Sequence, residues 1–176
     1  MLSASRQQFV IAFIGPVGSG KTYISLILAK ALGAERINTD DIRVALRRKG
    51  LPESRAIPIA HRLQERLLRG GTSIILDHDV VNPVRRRELR ERLAPFGARI
   101  YFIKVEAPEG LILARLRARR YTSRDLFRNA EHAVRVHYIR RKFHEKHGGF
   151  RPDFTIEDGK SLEPQIMKIV KEIKGL

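Results

Sequence analysis

Apolar runs of three to seven residues alternate along this chain with stretches of helical period. That alternation is the pattern of an α/β domain built on a parallel sheet. Strands are predicted at 9–14, 36–38, 72–76, 99–105 and 154–156, and their near-continuous apolar character implies burial on both faces. Helices are predicted at 21–32, 40–49, 53–69, 83–95, 108–120, 124–147 and 162–174. Local signals support several of these boundaries. Gly33 offers a C-terminal stop for the first helix. Asn82 and Pro83 form an N-cap and first-turn pair for the fourth. Neither an internal repeat nor a low-complexity linker interrupts the pattern, so residues 1–176 read as one domain.

Composition narrows the class. At 176 residues, with 43% hydrophobic and 31% charged side chains, the chain is of globular type and long enough to bury a core. No apolar run approaches the roughly 20 residues of a spanning helix. The opening MLSASRQQFVIAFIG runs into a glycine-rich motif without a small-residue cleavage site, so it reads as a strand and not a leader. The absence of cysteine excludes disulfides and thiolate metal sites, and fits an expectation of a cytoplasmic protein. The net charge of +16, with 25 of 35 basic residues being arginine, fits polyanionic partners or phosphorylated substrates. A merely solvated surface fits it equally well.

One motif changes that balance. Gly15-Pro16-Val17-Gly18-Ser19-Gly20-Lys21-Thr22 follows a strand and opens an amphipathic helix, the context a phosphate-binding loop requires. Glycines let successive backbone N–H groups curl around an anionic oxygen, and the helix adds its own unpaired donors. Gly15, Gly18, Ser19, Gly20, Lys21 and Thr22 are therefore candidate ligands of a nucleoside triphosphate. Lys21 would reach the β- and γ-phosphates, and the Thr22 hydroxyl would sit on Mg²⁺. The Walker B partner is sought at the carboxyl end of a neighbouring strand. Asp77 closes SIILD there and is assigned to the metal, while Asp79 either shares the task or caps the next helix.

A phosphoryl acceptor needs its own residues. Asn38-Thr39-Asp40-Asp41-Ile42-Arg43 follows the second strand, and acids at a helix start are also simply stabilised by its dipole. Asp40 and Arg43, three apart, share a helical face, whereas Asp41 points elsewhere. The pair suits a general base for an attacking hydroxyl and a cation for the acceptor's own anion.

GPVGSGKT, NTDDIR, ILDHDVVNPVRRR and LILARLRARR together resemble the small P-loop kinases of the polynucleotide-kinase and zeta-toxin type. That AAA-type group also includes gluconate- and chloramphenicol-kinase-like enzymes, and the resemblance covers roughly residues 8–120. It implies a three-layer P-loop fold with a five-stranded parallel sheet in the order 2-3-1-4-5, ATP and Mg²⁺, and transfer to a hydroxyl. It also carries the role of base to Asp40 and of acceptor-anion grip to Arg43. A TDxIR-like segment occurs in archaeal 2-phosphoglycerate kinases as well, so the motif does not name the acceptor. In such kinases an arginine-bearing helix closes over the triphosphate; here Arg115, Arg119 and Arg120 are the candidates. Arg115 and Arg119, four apart, are expected on one face aimed at the transferring group, with Arg119 first.

The chain departs from the group beyond residue 120. Between 115 and 151 there are twelve Lys or Arg against three Asp or Glu, a local excess of +9. Tyr121, Phe127, Tyr138, Phe143 and Phe150 interleave with them. Such a mixture suits a nucleic-acid 5′-hydroxyl or nucleotide-like acceptor, unless the rings pack the helix onto the sheet. Small phosphorylated or sugar metabolites, nucleoside monophosphates, and a nucleotide-switched RNA-binding protein without an acceptor are the alternatives. The histidines lack metal-like spacing apart from a loose His144–His147 pair, and no zinc is expected.

Overall fold

The computed structural model describes residues 7–123, 125–147 and 149–175. Residues 1–6, Arg124 at the expected start of the sixth helix, Gly148 and Leu176 lie outside them. Among the described residues there are five strands: β1 Phe9–Ile14, β2 Glu35–Ile37, β3 Ile74–Asp79, β4 Arg99–Glu106 and β5 Phe154–Glu157. They form one sheet in the order β2-β3-β1-β4-β5, with every pairing parallel. This is the expected order 2-3-1-4-5.

The helices are α1 Lys21–Leu32, α2 Thr39–Arg48, α3 Ala56–Arg69, α4 Pro83–Leu93, α5 Glu109–Ala118, α6 Ala130–His147 and α7 Leu162–Lys174. Strand alternation sorts the core into two layers. Phe9, Ile11 and Phe13 of β1 face Ile24 and Leu28 of α1 and Ile166 and Ile169 of α7. Val10, Ala12 and Ile14 turn the other way, toward Ala60 and Leu68 of α3 and Leu89 and Leu93 of α4. Central β1 is thus buried at all six positions, which explains why its sequence lacks the polar alternation of a one-sided strand.

Among the boundaries that depart from the sequence reading, three bear on the site. Strand β3 starts two residues late and extends through Asp79, so both of its acids sit within the sheet. The helix expected at 108–120 ends at Ala118, leaving Arg119 extended. The segment expected to be helical from 124 begins only at Ala130. Asn129 supplies the reason: its side-chain oxygen accepts from the His132 amide at 2.9 Å, an N-cap that stops helix propagation toward the N-terminus.

Candidate active site

The loop between β1 and α1 is shaped by its glycines. Gly18 and Gly20 have φ of 84° and 98°, backbone space that L side chains rarely enter. A side chain would also lack room. A Cβ on Gly18 would lie 2.9 Å from Ile112 of α5, and one on Gly20 would lie 2.5 Å from Asp158 Oδ2. Ser19, fully buried, donates its amide to the Pro16 carbonyl at 3.2 Å. Its hydroxyl has no partner of its own and abuts the place where a Gly15 Cβ would stand. Gly20→Ala should therefore cost about 1–3 kcal/mol in backbone strain, and should also displace Asp158. A drop in thermal midpoint with weakened nucleotide binding is the expected readout; a variant matching the parent in both would remove Asp158 from the wall of the loop.

Lys21 folds onto this loop, with Nζ donating to the carbonyls of Gly15 at 2.6 Å and Pro16 at 2.8 Å. Burial lowers its pKa below the usual lysine range. The carboxylates of Asp79, Asp77 and Asp40 pull the other way, and the Arg140 guanidinium of α6 adds to the lowering. Charges on α2, β3 and α6 thus all bear on the ammonium.

Asp77 is buried and held from one side. Its Oδ2 accepts from Arg36 Nε at 3.0 Å, from Arg36 Nη2, and from Asn38 Nδ2 at 2.8 Å. Its Oδ1 accepts from the Thr22 hydroxyl at 3.5 Å. Magnesium takes hard oxygen ligands and usually keeps one or two carboxylates together with phosphate oxygens and water. The Thr22–Asp77 pair is such a donor set, so the residues present fit the ion.

Asp79 does something other than cap a helix. A register shift in the β1–β3 pairing after Ala12 sets Asp79 opposite Phe13, close to the start of the loop. Its Oδ1 accepts from the amides of Gly15 and Val81, each at 3.2 Å, and its Oδ2 meets His144 Nε2 at 2.9 Å. Burial alone would raise its pKa, but His144, Lys21 and the Gly15 N–H hold it below the usual carboxylate range. The cap of α4 is Asn82, which accepts from the Val84 amide at 2.9 Å. Between the two acids, His78 is pushed down to about 4 by burial, with Asp77 and Asp79 opposing, so its imidazole is neutral at physiological pH.

At the start of α2, Asp40 and Arg43 meet as the spacing requires, with Nη1 and Oδ1 2.5 Å apart. Asp41 does point elsewhere, toward Arg36 Nη1 at 3.2 Å. The lid arginines part company. Arg115 forks onto Asp158, beside Gly20. Arg119 pairs with Asp125 and lies 5.7 Å from the Tyr121 ring. The expectation of one shared face fails because α5 ends one residue before Arg119.

Residues 10–141 match the AAA-domain family. The chain belongs to that family. A UPF0200 protein of Aeropyrum pernix is 33% identical over 135 residues, which cover 70% of this chain and 72% of that protein. Among solved structures, a putative kinase from Chloroflexus aurantiacus superposes with a TM-score of 0.68 at 16% identity, covering 96% of this chain and 98% of that one. The APS kinase CysC of Mycobacterium tuberculosis, in complex with AMPPNP and APS, superposes with 0.63 at 13% identity, covering 97% and 99%. This AAA-family chain therefore has the fold of the P-loop kinases. Among its described residues, no helix is long and apolar enough to cross a membrane.

Several neighbours of this site escape sequence reading. Arg36, Asn38, His137, Arg140, His144 and Asp158 all bear on the loop or its acids. His137 Nδ1 lies 3.0 Å from the Val17 carbonyl, and His144 follows one heptad later on the same face of α6. That i, i+7 pair is a sequence signal for this contact, and it is weak without knowing that this face meets the loop.

Proposed function

We propose that the chain transfers the γ-phosphoryl group of ATP to a hydroxyl of a small anionic metabolite. The observation that carries the reading is the Asp40–Arg43 pair, 2.5 Å apart at the start of α2, which follows β2 at the same carboxyl edge of the parallel sheet as the phosphate loop after β1. In this reading the loop amides and Lys21 bind the β- and γ-phosphates, with Thr22 and Asp77 holding Mg²⁺. When bound, the ion supplies charge neutralisation at the phosphate oxygens. Asp40 accepts the hydroxyl proton as the acceptor oxygen forms its bond to Pγ and the bond from Pγ to the ADP oxygen breaks. Arg43 turns from Asp40 to the acceptor's anion. Arg115 lines the nucleotide beside Gly20, where it is held by Asp158, and Arg119 stands further out, paired with Asp125.

A small acceptor is favoured over a polymer for two reasons. Arg47 of α2 reaches the Asp125 carbonyl of the lid loop at 3.4 Å, so the acceptor helix and the lid meet at one edge of the pocket. The rings that suggested stacking are mostly occupied elsewhere. Phe150 lies 4.1 Å from the Arg86 guanidinium and 5.4 Å from Phe102, while Tyr121 and Phe127 pack against the small cluster of Ile112, Leu116 and Ala133. Only Tyr138 and Phe143, at 43% and 38% exposure, remain open among the five. The APS kinase of like fold holds APS together with AMPPNP in its own complex, which supports a small acceptor here.

The test is transfer of label from γ-labelled ATP to a panel of small hydroxylated carboxylates, phosphates and sulfates, set beside 5′-hydroxyl oligonucleotides. Label on a member of the small panel is the expected result. Label on the oligonucleotides alone would restore the polymer acceptor. Orthophosphate released at one rate regardless of acceptor would remove the kinase reading altogether.

A further inference from the structure

Asn38 has two jobs in this fold, and they act in opposite directions. Its side-chain oxygen accepts from the backbone amides of Asp40 at 2.7 Å and Asp41 at 3.2 Å, and so sets the first turn of α2. Its side-chain nitrogen donates to Asp77 Oδ2 at 2.8 Å. One amide group therefore spans the distance between the helix that carries Asp40 and the carboxylate that faces Thr22. An N-cap alone needs only the oxygen, and serine or aspartate would serve as well. What asparagine adds is a donor on the far side.

That donor matters because of how Asp77 is loaded. Three donors crowd Oδ2, two from Arg36 and one from Asn38, whereas Oδ1 is turned toward Thr22 Oγ1. The carboxylate is thus fixed in rotation, with one oxygen consumed by protein and one presented to the nucleotide side. Arg36 runs parallel to Asn38. It joins Asp77 to Asp41 Oδ2 at 3.2 Å, and its Nε also donates to Ser25 Oγ at 2.9 Å, whose hydroxyl donates to the Thr22 carbonyl at 2.8 Å. The arginine supplies charge, but its guanidinium also competes with any cation for Asp77. Only Asn38 orients the carboxylate without adding a competing charge.

We propose that Asn38 is a positioning residue that couples the metal-facing carboxylate Asp77 to the base-bearing turn of α2. Loading of the metal–nucleotide complex on the Thr22–Asp77 edge then stiffens the Asp40 turn through the Asn38 amide, and closure at Asp40 in turn orients Asp77. The inference rests on the phosphotransfer reading for what the coupling serves, but its readouts do not need turnover.

The test compares the full chain with Asn38→Ser, which retains a capping oxygen and lacks the donor. Mn²⁺ binding in the presence of a non-hydrolysable ATP analogue is followed by electron paramagnetic resonance. The expected result is an affinity about tenfold weaker in the variant, the size of loss seen when groups behind a metal ligand are removed. Affinity for the metal-free analogue should stay within about twofold, and the thermal midpoint should stay close to the parent's. Hydrogen exchange supplies the second readout. In the parent, Mn²⁺ and the analogue together should slow exchange at the Asp40 and Asp41 amides beyond the analogue alone; in Asn38→Ser that increment should vanish. A variant that binds Mn²⁺ as the parent does, or that keeps the full increment, reduces Asn38 to a helix cap. A parent that binds Mn²⁺ and analogue with the expected coupling, yet labels no acceptor, would overturn the proposed function and leave the coupling standing. A parent that binds neither would overturn both.

Discussion

Asp40→Asn should lower phosphoryl transfer by about 10²–10⁴-fold, the range associated with a positioned general base, while nucleotide affinity stays within about twofold. The substitution removes a proton acceptor and little else. Asn38 caps the turn through the Asp40 backbone amide, not its side chain, so the start of α2 persists. The carboxylate is half-exposed, and its one fixed partner is Arg43. In the variant Arg43 is released toward the acceptor, so KM for the acceptor should hold or fall while kcat collapses. That split separates a base from a residue that merely grips substrate, whose loss would raise KM. The measurement is steady-state transfer with acceptor varied at saturating ATP, beside equilibrium binding of a fluorescent nucleotide. A variant retaining a tenth or more of parental kcat would assign the proton to another group, and Asp79, which also faces Lys21, would be next.

How much of this was legible along the chain depends on sequence distance. The phosphate loop is eight consecutive residues, and its glycine spacing alone implies the positive φ at Gly18 and Gly20. The Asp40–Arg43 pair is local too, one helical turn, and forms as read. The strand order followed from the resemblance, and parallel pairing followed from apolar strands separated by helices. Other features hide because their partners are remote. Arg36 and Asp77 are 41 residues apart, His144 and Asp79 65, and His137 and Val17 120. No window of sequence contains both ends of such a contact. The place of Asp79 is hidden for a subtler reason: alternation along β3 cannot show the register shift after Ala12 that sets Asp79 opposite Phe13, close to Gly15. Arg119 leaves the face of Arg115 because the four-residue spacing assumes a helix that ends at Ala118. The basic excess of residues 115–151 divides in the same way. Arg115, Arg119 and Arg141 are tied to Asp158, Asp125 and Glu109, so a part of that charge is internal pairing and not a surface offered to a polyanion.

Lys21→Met should abolish function more completely than any other single change, with kcat down at least about 10²–10³-fold and triphosphate affinity down about tenfold or more. Methionine keeps an unbranched apolar stem of similar length, so loss of packing is small and loss of charge is the main effect. The charge matters twice. In the proposed reaction it is the cation that meets the β- and γ-phosphates, and it is also a counter-charge to Asp79, Asp77 and Asp40. Without it three carboxylates face an incoming polyanion, and repulsion adds to the lost attraction. Lys21→Arg should fail nearly as badly, although it conserves the charge. The ammonium fits between the Gly15 and Pro16 carbonyls at 2.6 and 2.8 Å, a compact seat that a planar guanidinium fork cannot occupy without opening the loop. The two variants therefore distinguish charge from shape. Calorimetric titration with a non-hydrolysable ATP analogue, in the presence of Mg²⁺, measures both. Restoration of binding by arginine would mean that net charge at the loop is sufficient. Loss in both variants would mean that the geometry of one ammonium, seated by the glycine-shaped loop and balanced by acids from α2 and β3, is what the site requires.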